Sequence, residues 1–336
     1  MPTRIAVDAM GGDHAPDAVV QGAAQAARNA DRPLELILFG PEERVRPALH
    51  DIPHHASLPI HLQHASDVIG MGDAPAAAVK RKRESSIHLG LGAHKKGRVD
   101  AFVSAGNTGA IMAASIFILG RVPGIERPSI VGFFPTLRGS SIVLDIGTNV
   151  DCKPEHLVQF AQMGTVFSQH VLKRDTPSVG LLNIGEEPGK GNDLVKQTYD
   201  LLQNTPDIHF KGNIEGGDLL FYASDIILCD GFVGNILLKF GETMTTVLSE
   251  MTEKEMERQN LSSDDQHLVA GVLNEVKKGF DSEGRGGAPL LGVNGNVFIG
   301  HGSSSPAAVE QMIHSVCQLV DENVVSALED TFAVDA

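Results

Sequence analysis

Glycine followed by asparagine occurs at Gly106-Asn107, Gly191-Asn192, Gly212-Asn213, Gly234-Asn235 and Gly295-Asn296, and several of these pairs follow runs that read as β-strands. Glycine tolerates positive φ and close backbone approach, and asparagine brings both a donor and an acceptor without charge. A loop between a strand end and a helix N-terminus presents free N–H groups and a partial positive charge, which suits phosphate. Any single pair is also an ordinary turn. Several in one chain point to a cleft that binds an anion and polarises an acyl group.

Two longer loops carry further candidates. In Asp8-Ala9-Met10-Gly11-Gly12-Asp13-His14-Ala15-Pro16 the spacing is not that of a dinucleotide-binding glycine fingerprint. There Asp13 reads as a cap of the following helix, with Pro16 in its first turn. His14 reads either as an exposed turn residue or as a hydrogen-bond partner of phosphate. In the second loop, Asn183 to Asn192, Lys190 stands between two glycines without the following Ser or Thr of a Walker A loop. Such a lysine either swings toward an anion or stays solvated. No Cys/His set has zinc-ligand spacing, and no G-x-S-x-G elbow supplies a serine nucleophile.

The elements that must hold these loops alternate as in an α/β sheet covered by helices. Strands are expected at Arg4–Ala9, Leu34–Phe39, Asp100–Ser104, Ile142–Ile146, Val179–Asn183 and Asp225–Asp230. Helices are expected from about Pro16 to Arg28, Gly109 to Leu119 and Asp193 to Leu202. With no linker or low-complexity tract, the chain reads as one α/β domain over 1–336 with a helical arm at about 243–284. In the arm, Leu268, Val269, Val272, Leu273, Val276 and Phe280 share one helix side. That stripe packs on the body or a second subunit, or faces a partner or membrane. The arm's acidic character weighs against anionic lipid.

A net charge of −15, no tryptophan and two tyrosines argue against a nucleic-acid surface. Against that background Lys80, Arg81 and Arg83, with Lys95, Lys96 and Arg98, stand out as docking candidates for an acidic partner. Their alternative is an ordinary solvated helix face. Three cysteines without C-x-x-C spacing read as buried thiols in a reducing compartment. Nothing resembles a signal peptide, and the apolar run Ile111 to Leu119 is too short to cross a bilayer. A cytoplasmic location is expected.

AVDAMGGDHAP (6–16), SAGNTGA (104–110), CKPEHL (152–157), GLLNIGEE (180–187), CDGFVGN (229–235) and GGAPLLG (286–292) resemble, in this order, the bacterial phosphate acyltransferases of phospholipid synthesis. The resemblance spans about residues 4–325. It implies a three-layer α/β/α fold with a mixed sheet, like isocitrate and isopropylmalate dehydrogenases. It implies acyl transfer from acyl carrier protein to inorganic phosphate, giving acyl phosphate for phosphatidic acid. It further implies a homodimer, no redox cofactor, and loose contact with the inner face of the membrane, where a glycerol-3-phosphate acyltransferase would take the product. A phosphotransacetylase acting on acyl coenzyme A is the alternative. Arg285 stands where an aromatic residue is expected.

Given that reaction, position on the strand-end loops suggests the following roles. Lys190, His14 and the Gly11–Gly12 backbone hold phosphate, with Asp13 and Asn192 beside them. Asn107 and Thr108, with the amides of Gly106 to Gly109, polarise the thioester carbonyl. Asp230 and Asn235, carried by the CDGFVGN match, orient the lysine or the phosphate. No metal is expected.

Overall fold

In the computed structural model, residues 1–280 and 286–333 are described, with the side chains of 242, 245 and 277–280 left aside. Arg285 therefore lies outside the described residues, as does the side chain of Phe280. The first stretch runs β1 (Thr3–Asp8), α1 (Asp17–Asn29), β2 (Leu34–Gly40), α2 (Glu42–His50), β3 (Ile60–His64), α3 (Pro75–Arg81), α4 (Ser86–Lys95), β4 (Ala101–Ser104), α5 (Thr108–Ile118) and β5 (Ser129–Ile130). The middle stretch runs β6 (Gly132–Thr136), β7 (Gly139–Leu144), α6 (Pro154–His170), β8 (Ser178–Asn183), α7 (Asp193–Gln203), β9 (His209–Glu215), β10 (Ile226–Leu228), α8 (Gly231–Arg258) and α9 (Ser263–Phe280). The last stretch holds β11 (Ala288–Leu291), β12 (Val297–Ile299), α10 (Pro306–Asp321) and α11 (Val324–Ala333).

These elements form two compact units. One comprises residues 1–130, 166–174 and 286–333, and the other residues 131–165 and 175–280. The first unit carries a seven-stranded sheet in the order β3-β2-β1-β4-β12-β11-β5, and the second a five-stranded sheet in the order β6-β7-β10-β8-β9. Both sheets are mixed, because β11 runs antiparallel to β12 and β5, and β6 runs antiparallel to β7. The α/β class and mixed pairing expected from sequence are therefore present, distributed over two sheets.

In the first unit the chain leaves β1 toward β2 and β3, then returns to place β4 on the other side of β1. Right-handed crossovers in opposite directions put their helices on opposite faces of the sheet. The helix α4 lies on one face, with Gly90 so close to Phe102 that a Cβ would stand 2.6 Å from its ring. Ile5, Val7, Leu36, Leu38 and Phe102 are fully buried in the sheet core. Strands covered on both faces read as near-continuous apolar runs, which is why LELILF was legible as a strand. In the second unit, Ile142, Leu144, Leu181, Ile226 and Leu228 fill the equivalent position.

Element boundaries shift where backbone geometry overrides composition. The expected strand Ile142–Ile146 ends at Leu144, because Asp145 turns inward as a buried carboxylate. Asp13 does not cap the first helix: α1 begins at Asp17 behind Pro16, with no side-chain cap. The helical arm is longer than expected, since α8 starts at Gly231 and runs unbroken for 28 residues before the turn into α9. Of the stripe on α9, Leu268, Val272 and Val276 are exposed, while Leu273 turns toward α8.

In the first unit α1 and α10 cross closely at Gly22, where a Cβ would stand 2.5 Å from both the Pro306 carbonyl oxygen and the Val309 Cβ. Alanine would gain about 1 kcal/mol of helix propensity over glycine. Forcing backbone and a core valine apart costs about 1–3 kcal/mol, so the clash wins. Gly22→Ala should therefore lower stability by about 1–2 kcal/mol, read as a drop in urea midpoint at constant slope. An unchanged midpoint would mean the two helices separate freely.

Candidate active site

The carboxyl ends of β1 and β4 leave in opposite directions, so the gap between them is the topological switch point of the first sheet. Ligands of open α/β sheets collect at such a crevice. Three loops meet there, following β1, β4 and β12. Asp8 ends β1 and is fully buried. Its carboxylate accepts from the Ser104 hydroxyl at 2.6 Å and the Met10 amide at 3.1 Å. Ser104 in turn accepts from the Gly106 amide at 3.0 Å. At Gly11 a Cβ would lie 2.7 Å from the Gly106 amide nitrogen and 2.9 Å from the Asp8 carboxylate, so no side chain fits. Gly12 has φ +104°, and its neighbour Asp13 donates its amide to the Gly302 carbonyl at 2.7 Å. His14 and Thr108 are exposed beside these loops.

Asn107 does different work from that expected. Its Oδ1 accepts the Ala110 amide at 3.0 Å, capping α5. Its Nδ2 donates to the carbonyls of Met71 at 3.0 Å, Asp73 at 3.1 Å and Gly70 at 3.3 Å. Both ends of the buried amide are thus engaged, and the Gly106 amide is held by Ser104. The donors that helix geometry leaves open at this terminus are the first-turn amides of Thr108 and Gly109. The loop held by Asn107 is fixed a second time, because Lys82 reaches the Asp73 carboxylate at 2.5 Å and the Val68 carbonyl at 2.8 Å.

In the second unit the remaining candidates gather at the carboxyl ends of β8 and β10. Asn192 caps α7 by accepting from the Val195 amide at 3.0 Å, and Asp230 caps α8 by accepting from the Val233 amide at 2.9 Å. Both line one cavity of about 350 Å³. The Lys190 loop is held from within. The Asn183 amide donates to the Lys190 carbonyl at 3.2 Å, and the Asn213 amide donates to the Glu187 carbonyl at 2.9 Å. The Lys190 side chain is exposed. Asn235 sits one turn into α8 and packs against Gly147, whose φ is +124°.

Sequence reading missed what lies beneath this second cluster. The Asp145 carboxylate accepts from the Thr148 hydroxyl and from the Asn149 amide and side chain. Asp145 also explains the glycines of CDGFVGN. A Cβ at Gly231 would meet its carboxylate at 2.6 Å, and one at Gly234 its carbonyl oxygen at 1.8 Å. The signal available in the sequence was an Asp at the end of a β-run in both Val7-Asp8 and Leu144-Asp145. Cys229 lies between these groups, and burial, then the neighbouring Asp230 and Asp145, pushes its thiol well above the ordinary range. No group of His, Cys, Asp and Glu able to hold a metal ion exists among the described residues.

The docking candidates divide. Lys80, Arg81, Arg83, Lys95, Lys96 and Arg98 are all exposed. The first three flank the turn from α3 into α4, where Ser86 meets the Asp8 carboxylate at the loop edge of the sheet. The last three lie at and just past the other end of α4, where the His94 ring bonds to Val99 and Asn296 beside the starts of β4 and β12. One patch therefore shares the edge of the switch-point loops, and the other stands at the opposite edge.

Two outcomes follow from the buried groups. Burial raises the Asp8 carboxyl above its ordinary 3.8, against the hydrogen bonds from Ser104, Ser86 and Met10. A carboxyl raised on folding contributes stability that is full below its unfolded value and lost as pH rises through its folded value. Wild-type stability relative to Asp8→Asn should therefore fall as pH rises above the ordinary carboxyl value of 3.8 in urea titrations. A difference that grows with pH would overturn the reading of Asp8. The second outcome concerns Cys229, which is too poorly ionised to be a nucleophile at neutral pH. Cys229→Ala should keep turnover within about threefold of wild type, whereas loss of all turnover would indicate a covalent intermediate on its sulfur.

Comparison with known proteins agrees with this architecture. A family model described as "Fatty acid synthesis protein" matches residues 3–327. The phosphate acyltransferase of Salinibacter ruber is 63% identical over 330 residues, covering 98% of each chain. That of Chlorobaculum parvum is 46% identical over 336 residues, covering 96% of this chain and 98% of the other. Among solved structures, a phosphotransacetylase from Streptococcus pyogenes superposes with TM-score 0.62 at 18% identity, over 96% of this chain and 94% of that one. A putative 4-hydroxythreonine-4-phosphate dehydrogenase from Salmonella typhimurium gives 0.55 at 10% identity, over 95% and 99%. These two likenesses concern the fold alone, whereas the full-length relatives carry the family: the chain is an acyltransferase and belongs to the bacterial phosphate acyltransferases.

Proposed function

We propose that the chain transfers a fatty acyl group from the thioester of acyl carrier protein to inorganic phosphate, releasing acyl phosphate and the free carrier thiol. The observation that carries this reading is the 63% identity, end to end, with a protein named phosphate acyltransferase. A phosphate oxygen attacks the thioester carbonyl, the carbonyl electrons move to oxygen, and collapse breaks the C–S bond. The thiolate leaves and takes a proton from solvent. Phosphate is already anionic at neutral pH, so the protein's task is to position reactants and stabilise the oxyanion.

In this reading the Gly11–Gly12 backbone, His14 and Thr108 serve on the first unit, and Lys190 on the second. The first-turn amides of α5 serve as carbonyl donors. Asn107, Asn192 and Asp230 act as positioning residues through the helix starts they cap. Asp13 and Asn235 help shape the phosphate loops. The reading needs no redox cofactor or metal.

Lys80, Arg81 and Arg83 are the docking surface for the acidic carrier protein, because they share the edge of the switch-point loops. A second copy of the chain covers the exposed apolar residues of α8 and α9, among them Phe240, Met251 and Leu268. The acids on those helices disfavour a strongly anionic lipid surface. Among the described residues no helix is long and apolar enough to cross a membrane, and contact with a downstream acyltransferase would be peripheral.

The direct test uses purified protein, long-chain acyl carrier protein and phosphate, with hydroxylamine trapping and thiol release followed together. Phosphate-dependent hydroxamate equal to released thiol is expected. Thiol release without phosphate would mean a thioesterase, and turnover with acyl coenzyme A alone a phosphotransacetylase. In the same assay, Arg81→Glu with Arg83→Glu should raise KM for the carrier about tenfold at low salt and flatten its salt dependence. Lys95→Glu with Lys96→Glu should leave both unchanged. Equal effects of the two pairs would remove the docking assignment.

A further inference from the structure

The 350 Å³ cavity of the second unit has apolar walls and a polar rim. Leu157 and Leu181 close its floor and are buried, and Leu182, Leu194 and Val195 form its sides. Asn183, Asn192 and Asp230 stand at the rim, where α7 and α8 begin. The rim also carries two apolar side chains that the fold leaves in water, Ile184 at 83% exposure and Val233 at 39%. Singly exposed apolar side chains are ordinary at a surface; what distinguishes Ile184 and Val233 is that they border an apolar cavity. A chain that enters past Ile184 and Val233 would cover both.

A second hollow, about 150 Å³, lies under α8 and α9 between Phe134, Leu219, Leu237 and Phe240. Its described lining offers no polar side chain to hold a reacting group, so it reads as a gap in the packing of the arm. The larger cavity combines an apolar interior with a polar mouth, and that is the chemistry of an amphiphile with one reactive end.

We propose that this cavity takes the acyl chain of the substrate thioester, methyl end inward, so that Leu194, Val195 and Val233 determine acyl-chain length. The inference rests on the acyl-transfer reading above and deepens it. At ~30 Å³ for each methylene-sized group, close to the share of one liquid water, the cavity holds roughly ten carbons. Longer chains then run out along Val233. Each buried methylene stabilises the complex enough for about a fourfold gain in affinity. The specificity constant should rise about fourfold per methylene and level off near ten carbons.

The test measures kcat/KM with carrier thioesters of 6, 8, 10, 12 and 16 carbons on the full chain. Leu194→Trp and Val195→Trp narrow the sides of the cavity. Each should cut kcat/KM for the 12- and 16-carbon thioesters about tenfold or more, while 6-carbon turnover stays within about threefold. Retained short-chain turnover also shows that the variants fold. Leu194→Ala should move the plateau outward by one or two carbons. A slope that runs unbroken to 16 carbons, or tryptophan variants that leave the chain-length profile unchanged, would overturn the assignment. The chain has no tryptophan of its own, so Leu194→Trp also provides a single fluorophore. Quenching of that fluorophore by a terminally brominated ten-carbon acyl pantetheine is expected, and absence of quenching at saturation would overturn the site. Quenching without phosphate-dependent product in the wild type would keep the site and overturn the acyl-transfer reading.

Discussion

Everything at the first unit's loop edge depends on one buried carboxylate. Asp8 gathers the Ser104 hydroxyl and the Met10 amide, and Ser104 gathers the Gly106 amide. That chain of hydrogen bonds draws the loop after β1 against the loop after β4 until there is no room for a Cβ at Gly11. A buried ionisable group is costly unless its lone pairs are satisfied, so the loops must close around it. Its raised pKa is the residue of that cost.

The second unit repeats the device with different partners. Asp145 follows β7 and accepts from the Thr148 hydroxyl and from the Asn149 amide and side chain. The start of α8 then packs on it through Gly231 and Gly234. In both units the acid serves the backbone that surrounds it, and chemistry is left to groups that remain exposed. Asparagine amides complete the arrangement as neutral clamps. Asn107 ties the 70–73 loop to α5, Asn213 ties the Lys190 loop to β9, and Asn192 starts α7.

Rigid loops of this kind suit a reaction in which the nucleophile comes ready ionised. Without an enzyme-bound intermediate to form, rate depends on holding two reactants and a few donors in fixed geometry. A buried, un-ionised Cys229 beside the second cluster is consistent with such a direct transfer. The apolar cavity beneath Asn192 and Asp230 would add chain recognition within the second unit.

Much of the framework was legible from sequence. Apolar runs such as LELILF and DIILCD mark strands buried on both faces, and the motifs from AVDAMGGDHAP to GGAPLLG carry the family. The strand-end placement of Gly11–Gly12, Asn107, Lys190 and Asp230 was legible too, because alternation of elements determines where loops fall. What each polar side chain does there was decided only by tertiary contacts. Asn107 could have faced a ligand, yet carbonyls 34 to 37 residues away in sequence take up its amide. Asp13 had the composition of a cap, but α1 starts four residues later behind Pro16. Two basic clusters alike in sequence ended on opposite edges of one sheet, since α4 runs the full distance between them. A residue's type limits which hydrogen bonds it can make, and local pattern limits where it sits. Which partner it meets depends on segments far apart in the chain, and only the folded arrangement brings those together.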